Sequence, residues 1–132
     1  LKKGEFIYSI KIPINKNKIF KAYKISKRFD DDISSVCGSF SFLIKKNKIT
    51  EAAIAYGGMS EIPKRALTIE KKLINSEFSE NTFSKAVNLI NKDFSPLDDM
   101  RASKNYRINV AKNLLLKAFY EIKNRQKIRI NS

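Results

Sequence analysis

Histidine is absent from this 132-residue sequence, and cysteine occurs once, at Cys37. A structural zinc site needs about four Cys or His ligands, so these absences exclude one. A single cysteine cannot form an internal disulfide, which favours a reducing compartment, and we expect the cytoplasm. Only four glycines occur. The sequence therefore has no glycine-rich loop of the kind that cradles phosphate groups.

Long apolar runs are also missing. No stretch approaches the roughly 18 uninterrupted apolar residues that cross a bilayer. The first residues, Leu1 to Gly4, lack the apolar core of a signal peptide. We therefore expect no membrane association. Because the sequence does not begin with Met, we expect it to be part of a longer chain.

Acidic residues are scarce, with 13 Asp and Glu against 27 Lys and Arg, which gives a net charge of +14. Such an excess suits a nucleic-acid or acidic protein partner, so a basic binding module is one alternative. The cations are spread along the chain, however, from Lys16 through Lys45 and Lys71 to Arg125. No recognition-helix or RNA-binding signature accompanies them, and we expect no nucleic-acid binding.

The first half of the sequence has the period of β-strands. Alternating apolar residues predict four extended runs, joined by short polar turns: 6–12, 19–26, 34–44 and 49–56. Lys45 to Lys48 reads as a hairpin turn, since Asn47 tolerates positive φ. Consecutive strands with short connections predict an antiparallel sheet.

Beyond Pro63 the period becomes helical, and three helices are predicted. The first has Ala66, Ile69 and Leu73 on its apolar face. Ser79 caps the second, and the third extends from about Ser103 to Asn124. The predicted apolar face of the second helix is Phe83, Ala86, Val87, Ile90 and Phe94, and that of the third is Tyr106, Val110, Leu114, Ala118, Phe119 and Ile122.

Strands followed by helices indicate an α+β fold, with an antiparallel sheet of three to four strands and three helices packed on it. The length suits one domain, which we place at residues 1–125, followed by a polar tail at 126–132. Cys37 lies on an apolar strand and is expected to be a small core residue.

A charged segment interrupts the strands, where Lys27 and Arg28 are followed by Asp30, Asp31 and Asp32. Adjacent carboxylates repel one another, so an ordered loop here needs a cation or a polar ligand. A solvated loop is the simplest interpretation. No spacing rule supports a magnesium cluster built from these aspartates, and we predict no metal site.

Three motifs resemble one protein family, in the same order along the chain. They are Tyr23–Phe42, then Tyr56-Gly57-Gly58-Met59 with Pro63–Ala66, and finally Pro96–Ser103. The family is the C-terminal part of the FAD-binding domain of xanthine dehydrogenases, molybdenum hydroxylases related to carbon monoxide dehydrogenase. The resemblance extends from about Gly4 to Glu121, which is nearly the whole chain.

This resemblance implies a fold of the CO dehydrogenase flavoprotein C-terminal domain type and a role in closing a flavin pocket. In the whole enzyme, FAD would take electrons from 2Fe-2S clusters and pass hydride to NAD during hypoxanthine or xanthine hydroxylation. The implied partners are upstream FAD and iron–sulfur domains and a molybdopterin-binding large subunit. The domain alone would hold no catalytic residue. The flavoprotein domain of a related CO, aldehyde or aromatic hydroxylase is a further alternative.

The resemblance also implies three residues at the cofactor. Lys24 matches a lysine that contacts FAD, where a cation would stabilise the anionic reduced flavin. Ile7 matches a position that contacts FAD from the first strand. Asp31, together with Arg28, matches a charged loop that approaches the flavin ring. From the residues alone, Lys24 is more typical of a solvated edge strand than of a binding site. For Ile7, ordinary sheet packing is equally consistent with the side chain.

Two further segments have structural interpretations. Tyr56 to Met59 supplies a tight turn with permissive backbone. Asp98 and Asp99 suit the positive end of the third helix, and the segment with Arg101, Tyr106 and Arg107 is expected to tie that helix to the sheet through charge-assisted hydrogen bonds.

Overall fold

The computed structural model describes residues 1–28 and 32–125. Its core element is a four-stranded sheet in the order β1-β2-β3-β4, with all neighbours antiparallel. The predicted antiparallel sheet is thus confirmed. The strands are β1 (Ile19–Ile25), β2 (Val36–Lys45), β3 (Lys48–Gly57) and β4 (Lys64–Arg65).

The hairpin between β2 and β3 turns at Lys46 and Asn47, which have φ of 47° and 61°. Positive φ at both central residues is typical of the tight turn whose twist matches that of the flanking strands. The predicted turn is therefore confirmed.

Four helical segments follow the strands, α1 (Leu67–Leu73), α2 (Glu80–Val87), α3 (Ile90–Asp93) and α4 (Lys104–Asn124). The prediction of one continuous second helix is wrong, because this part of the chain forms two helical segments, α2 and α3. At its break the Leu89 amide bonds to the Ala86 carbonyl, three residues back, so the turn tightens and the α-helix ends. The helix then restarts for a single turn, which keeps Ile90 and Phe94 buried as the pattern predicted.

The helices cover one face of the sheet. Alternate residues of β2 and β3 point into this layer, where aromatic rings meet edge to face, as Phe40 and Tyr56 do at 5.6 Å between centroids. Phe42 meets Phe83 of α2 in the same way at 5.7 Å. The largest fully buried side chains of the core are Tyr56, Phe40, Phe42, Phe83, Phe119, Ile49, Ile54, Met59, Ile69, Leu73, Ile90 and Leu115.

The predicted first strand, residues 6–12, is not a strand. Phe6, Tyr8, Ile10 and Ile12 are 77 to 90% exposed in an irregular segment. Alternation makes a strand only where a neighbouring strand supplies hydrogen bonds and a surface to bury, and the described residues offer this segment neither. The fourth strand of the sheet is instead β4, whose two residues are too few to leave a periodic signal.

Among the residues that the structure describes, no helix has both the length and the apolar character needed to cross a bilayer.

Candidate functional site

The sheet face opposite the helices carries mostly small side chains. We call the part of this surface nearest Lys24 the open face; its members on β1, β2 and β3 are Ala22, Lys24, Cys37, Ser39, Ser41, Ala53, Ala55 and Gly57. Three larger side chains, Phe20, Leu43 and Glu51, have the same strand parity and lie on the same side of the sheet toward its other end. Each member of the open face is exposed or half-buried, whereas the neighbours of these members along β2 and most of those along β3 are buried. This follows from the two-residue period of a strand, which sends successive side chains to opposite faces.

The strand register arranges the open face in rows. Lys24 is paired with Cys37, which is paired with Gly57. In the next row, Ser39 lies between Ala22 and Ala55. Ala55 is in turn paired with Arg65 of β4. Between Lys24 at one end and Arg65 at the other, the side chains of these rows are short, so the surface between them can receive a flat molecule at close range.

Lys24 is exposed and lies near the C-terminal end of β1, while its neighbours Tyr23 and Ile25 face the helix layer. The structure therefore places the predicted cofactor lysine as a cation beside a smooth surface. Cys37 stands next to it and is half-buried on the open face. The prediction that Cys37 belongs to the core is wrong, because its position in β2 has the opposite parity to the buried Val36 and Phe40.

β1 is held in place from the helix side. Glu121 of α4 is 5% exposed and accepts hydrogen bonds from the Tyr23 hydroxyl at 2.9 Å and the Lys21 Nζ at 3.0 Å. Burial, followed by the adjacent Glu121, raises the pKa of Tyr23 far above its usual range. The hydroxyl therefore stays a donor at ordinary pH, and this contact fixes the strand on which Lys24 lies.

Of the other two predicted cofactor residues, the structure describes Ile7. Ile7 is 65% exposed and lies in the irregular segment before β1, outside the sheet. Asp31 lies outside the described residues. Arg28, at the start of the same loop, is exposed.

Sequence reasoning treated Arg107 only as a link between helix and sheet, yet it is the centre of a buried cluster. The side chain is 5% exposed. Its Nη1 donates to the carbonyl oxygens of Ser35 and Gly58, and its Nη2 donates to Asp99 Oδ1 at 2.6 Å. We call Arg107, Asp99, Ser35 and Gly58 the Arg107 cluster. The predicted tie between α4 and the sheet is confirmed.

Asp99 completes this cluster from the segment before α4. Its Oδ1 accepts the backbone N–H groups of Arg101 at 2.8 Å and Ala102 at 3.0 Å. These backbone bonds, with a further contribution from the Arg107 guanidinium, hold the pKa of Asp99 below its usual range. Tyr106, predicted on the buried face, is instead 47% exposed, and Arg107 takes the inward position.

Gly58 is required by the same cluster. Its φ is +77°, a region that side chains disfavour, and a Cβ there would overlap the Ser35 carbonyl oxygen and lie 3.0 Å from Arg107 Nη1. The predicted tight turn is thus confirmed.

A groove of about 620 Å³ lies on another side of the cluster, lined by Lys64, Asp93, Phe94 and Arg107 among others. Lys24 is not part of its lining. A smaller groove of about 210 Å³ lies on the sheet toward the other end of the open face, lined by Ser41, Ala53 and Arg65 among others, and Lys24 is not part of its lining either. A pocket over the rows around Lys24 would need a second surface to close it.

Within residues 1–28 and 32–125, no three His, Cys, Asp or Glu side chains are grouped closely enough to hold a metal ion. Asp98 and Asp99 instead serve the backbone, since Asp98 Oδ1 accepts the Lys104 amide at 2.6 Å.

The chain is similar to two characterised enzymes. It is 29% identical over 120 residues to the glyceraldehyde dehydrogenase medium chain of Sulfolobus acidocaldarius, covering 91% of this chain and 42% of that one. It is 31% identical over 93 residues to the xanthine dehydrogenase of Emericella nidulans, covering 67% of this chain and 7% of that enzyme. The chain thus spans less than half the length of either relative.

The fold also occurs in solved structures. A chain of the reconstituted CO dehydrogenase from Oligotropha carboxidovorans superposes with a TM-score of 0.75 at 20% identity, covering 86% of this chain and 39% of that one. An identity this low supports the fold alone. Over residues 21–122, however, the sequence matches the profile of the CO dehydrogenase flavoprotein C-terminal domain, and the chain belongs to that family.

Proposed function

We propose that this chain forms one wall of an FAD site in a molybdenum hydroxylase, with its open face turned toward the flavin. The observation that carries the proposal is a helix-free sheet face of small side chains with Lys24 at its edge. Membership in a flavoprotein domain family supports the choice of FAD.

The open face fits a planar ring. At Gly57 an added Cβ would meet only the Cys37 Cβ, at 3.7 Å, so packing within this chain does not require a glycine there. The absence of a side chain at Gly57 is therefore not explained by contacts within this chain, and it is consistent with space for another molecule. Ala22, Ser39 and Ala55 continue the same low surface in the next row.

When bound, FAD supplies the transfer of electrons between one-electron and two-electron partners. The role of this chain is to cover the ring, to exclude water from one side, and to place a positive charge near it. The Lys24 ammonium would favour the anionic form of the reduced flavin through Coulomb attraction in a partly desolvated site. Ile7 and Asp31 are kept as proposed FAD contacts on the resemblance alone.

The rest of the site must come from other protein. The chain spans 42% of the Sulfolobus medium chain, so we propose that FAD-binding loops lie in a preceding domain and that iron–sulfur and molybdopterin domains complete the enzyme. The exposed apolar alternation of Phe6, Tyr8, Ile10 and Ile12 supports such a contact. We keep residues 1–125 as the domain and 126–132 as its tail.

The substrate is decided at the molybdenum centre, which this chain does not contain. Oxidation of hypoxanthine or xanthine with NAD as acceptor is our specific proposal, supported by the motifs of residues 23–42 and by the xanthine dehydrogenase relative. Oxidation of an aldehyde is the second candidate, because the glyceraldehyde dehydrogenase relative covers more of the chain.

Steric blocking of the open face tests the FAD proposal. In the full-length flavoprotein that contains this chain, Ser39→Trp would place an indole in the middle of the open face, where strands accept aromatic residues. Titration of FAD into flavin-free protein should then show a dissociation constant raised by about tenfold or more, corresponding to about 1.4 kcal/mol.

Ser84→Trp is the matched control, because Ser84 is exposed on α2, on the helix side of the sheet. This variant should bind FAD like the wild type. If Ser39→Trp also binds FAD like the wild type while remaining folded, the open face is not the flavin surface.

A further inference from the structure

The three strand ends around Lys24 meet at a single side chain. Lys24, Cys37 and Gly57 form one row of the open face. Arg107 bonds to the carbonyl oxygens of Ser35 and Gly58, which lie two residues and one residue beyond that row. One guanidinium therefore holds β2 and β3 at the place where the proposed flavin surface ends.

The same contact reaches β1 through the backbone. The Ser35 amide donates to the Ile25 carbonyl at 2.8 Å, and Ile25 follows Lys24 directly. Ser35 is thus bonded on one side to the neighbour of Lys24 and on the other to Arg107. A displacement of the guanidinium would be passed by two hydrogen bonds to the strand end that carries Lys24.

The charged loop after β1 is held at its base by the same region. Lys27 Nζ donates to the Met100 carbonyl at 2.7 Å, and the Ser35 hydroxyl donates to the Arg101 carbonyl at 3.4 Å. Asp99, beside these carbonyls, is bonded to Arg107. Both ends of the loop are thereby tied to the segment that leads into α4.

A contribution to stability does not by itself explain why an arginine is buried at position 107. Among the described residues, the buried side-chain nitrogen without a hydrogen-bond partner is Arg107 Nε. A buried guanidinium with one N–H unpaired costs desolvation energy that an apolar side chain would avoid. The rigid planar fork, which reaches three acceptors at once, is what an apolar residue or a lysine cannot supply.

We propose that Arg107 is a positioning residue for the flavin site, which fixes the row of Lys24 and the base of the charged loop through the Arg107 cluster. The inference rests on the proposed function, since it assigns Arg107 to the same site. Arg107 itself lies on the helix side of the sheet and acts through Ser35 and Gly58.

Two variants disturb the cluster in different ways. Arg107→Lys keeps the charge but loses the planar fork. Gly58→Ala keeps both Arg107 and Asp99 but drives a methyl group against the Ser35 carbonyl oxygen. If Arg107→Lys does not fold, Gly58→Ala still tests the proposal.

Phe83→Leu is the control for lost stability. Phe83 is fully buried against Phe42, which pairs with Ile19 at the opposite end of β1 from Lys24. Its truncation weakens the core without touching the Arg107 cluster. Lys24→Met serves as the reference for direct damage to the proposed site.

The experiment measures the FAD dissociation constant and the visible absorption spectrum of the bound flavin in the full-length protein, beside urea unfolding. Arg107→Lys and Gly58→Ala should weaken FAD binding by about tenfold or more and shift the flavin spectrum in the direction seen for Lys24→Met. Phe83→Leu should lower the unfolding midpoint and leave both flavin readouts near those of the wild type.

The inference is overturned if the Arg107→Lys and Gly58→Ala proteins bind FAD as the Phe83→Leu protein does, while Lys24→Met still weakens binding. Absence of FAD binding by the wild type, or wild-type binding by Lys24→Met, would instead overturn the proposed function, and the inference with it.

Discussion

At the scale of single residues, Asp99 is partly exposed to solvent and yet accepts several hydrogen bonds. Its side chain is 41% exposed, yet it accepts two backbone amides and the Arg107 guanidinium. All these donors favour the ionised carboxylate, so its pKa is lower in the folded protein than in the unfolded chain.

The pH dependence of stability follows from that direction. Because the folded-state pKa of Asp99 is depressed, its contribution is fully present above the unfolded value of about 4 and is lost as pH falls through the folded value. Asp99→Asn removes this contribution. The difference in unfolding free energy between wild type and Asp99→Asn, from urea denaturation, should be constant above about pH 5 and shrink below about pH 4.

Glu51→Gln is a suitable control, since Glu51 is half exposed and forms a surface ion pair with Lys18. The difference in unfolding free energy between the wild type and Glu51→Gln should be small at every pH measured. A difference for Asp99→Asn that grows as pH falls from 5 would contradict the assigned hydrogen bonds.

Individual residues also show how far sequence reasoning reaches. The open-face position of Lys24 follows from strand parity, which is a local property. The hydrogen-bond partners of Arg107 could not be predicted from a local pattern, because Ser35 lies 72 residues away in the sequence and Gly58 lies 49 residues away. The motif at Pro96–Ser103 and the glycine pair at 57–58 were the available signals, and only the fold brings them together.

At the scale of elements, the start of α1 depends on a distant residue. Its N-cap position is Ala66, which has no side-chain acceptor. Asp93 of α3 accepts the backbone amides of Thr68 at 3.0 and 3.1 Å and of Ile69 at 3.2 Å. A carboxylate from another helix thereby satisfies donors that a local cap would otherwise take.

Replacing Asp93 should therefore destabilise α1. Asp93→Ala is expected to lower the free energy of unfolding by about 1–3 kcal/mol, since it leaves nearly buried amides without an acceptor. Ser79→Ala, which removes the local cap of α2, should cost about 1 kcal/mol and calibrates the urea measurement. An unchanged unfolding free energy for Asp93→Ala would show that the amides find other acceptors.

The elements that sequence predicted well are those with local signals. The Asn47 turn, the Ser79 cap and the span of α4, whose cap is Ser103, all depend on neighbouring residues. The strand predicted at 6–12 failed because a period of two records only which face is apolar. Whether a strand forms also depends on a partner strand, and the described chain provides none there.

At the scale of the whole molecule, the fold is a sheet with helices on one side only. One face of the sheet packs against the helices and forms the core. The other face presents small side chains and Lys24. The net charge of +14 comes from cations that are spread along the whole sequence. In the proposed flavin site, recognition rests on the small side chains of the open face and on Lys24.

Cys37 allows the most direct test of the flavin surface, because it is half-buried in the row of Lys24 and is the chain's single cysteine. In the full-length flavoprotein, the rate of its alkylation by N-ethylmaleimide can be followed on its own peptide by mass spectrometry, with and without FAD. If FAD lies on the open face, the bound cofactor should slow labelling of Cys37 strongly. Equal labelling rates in the flavin-free and FAD-loaded proteins would contradict that placement.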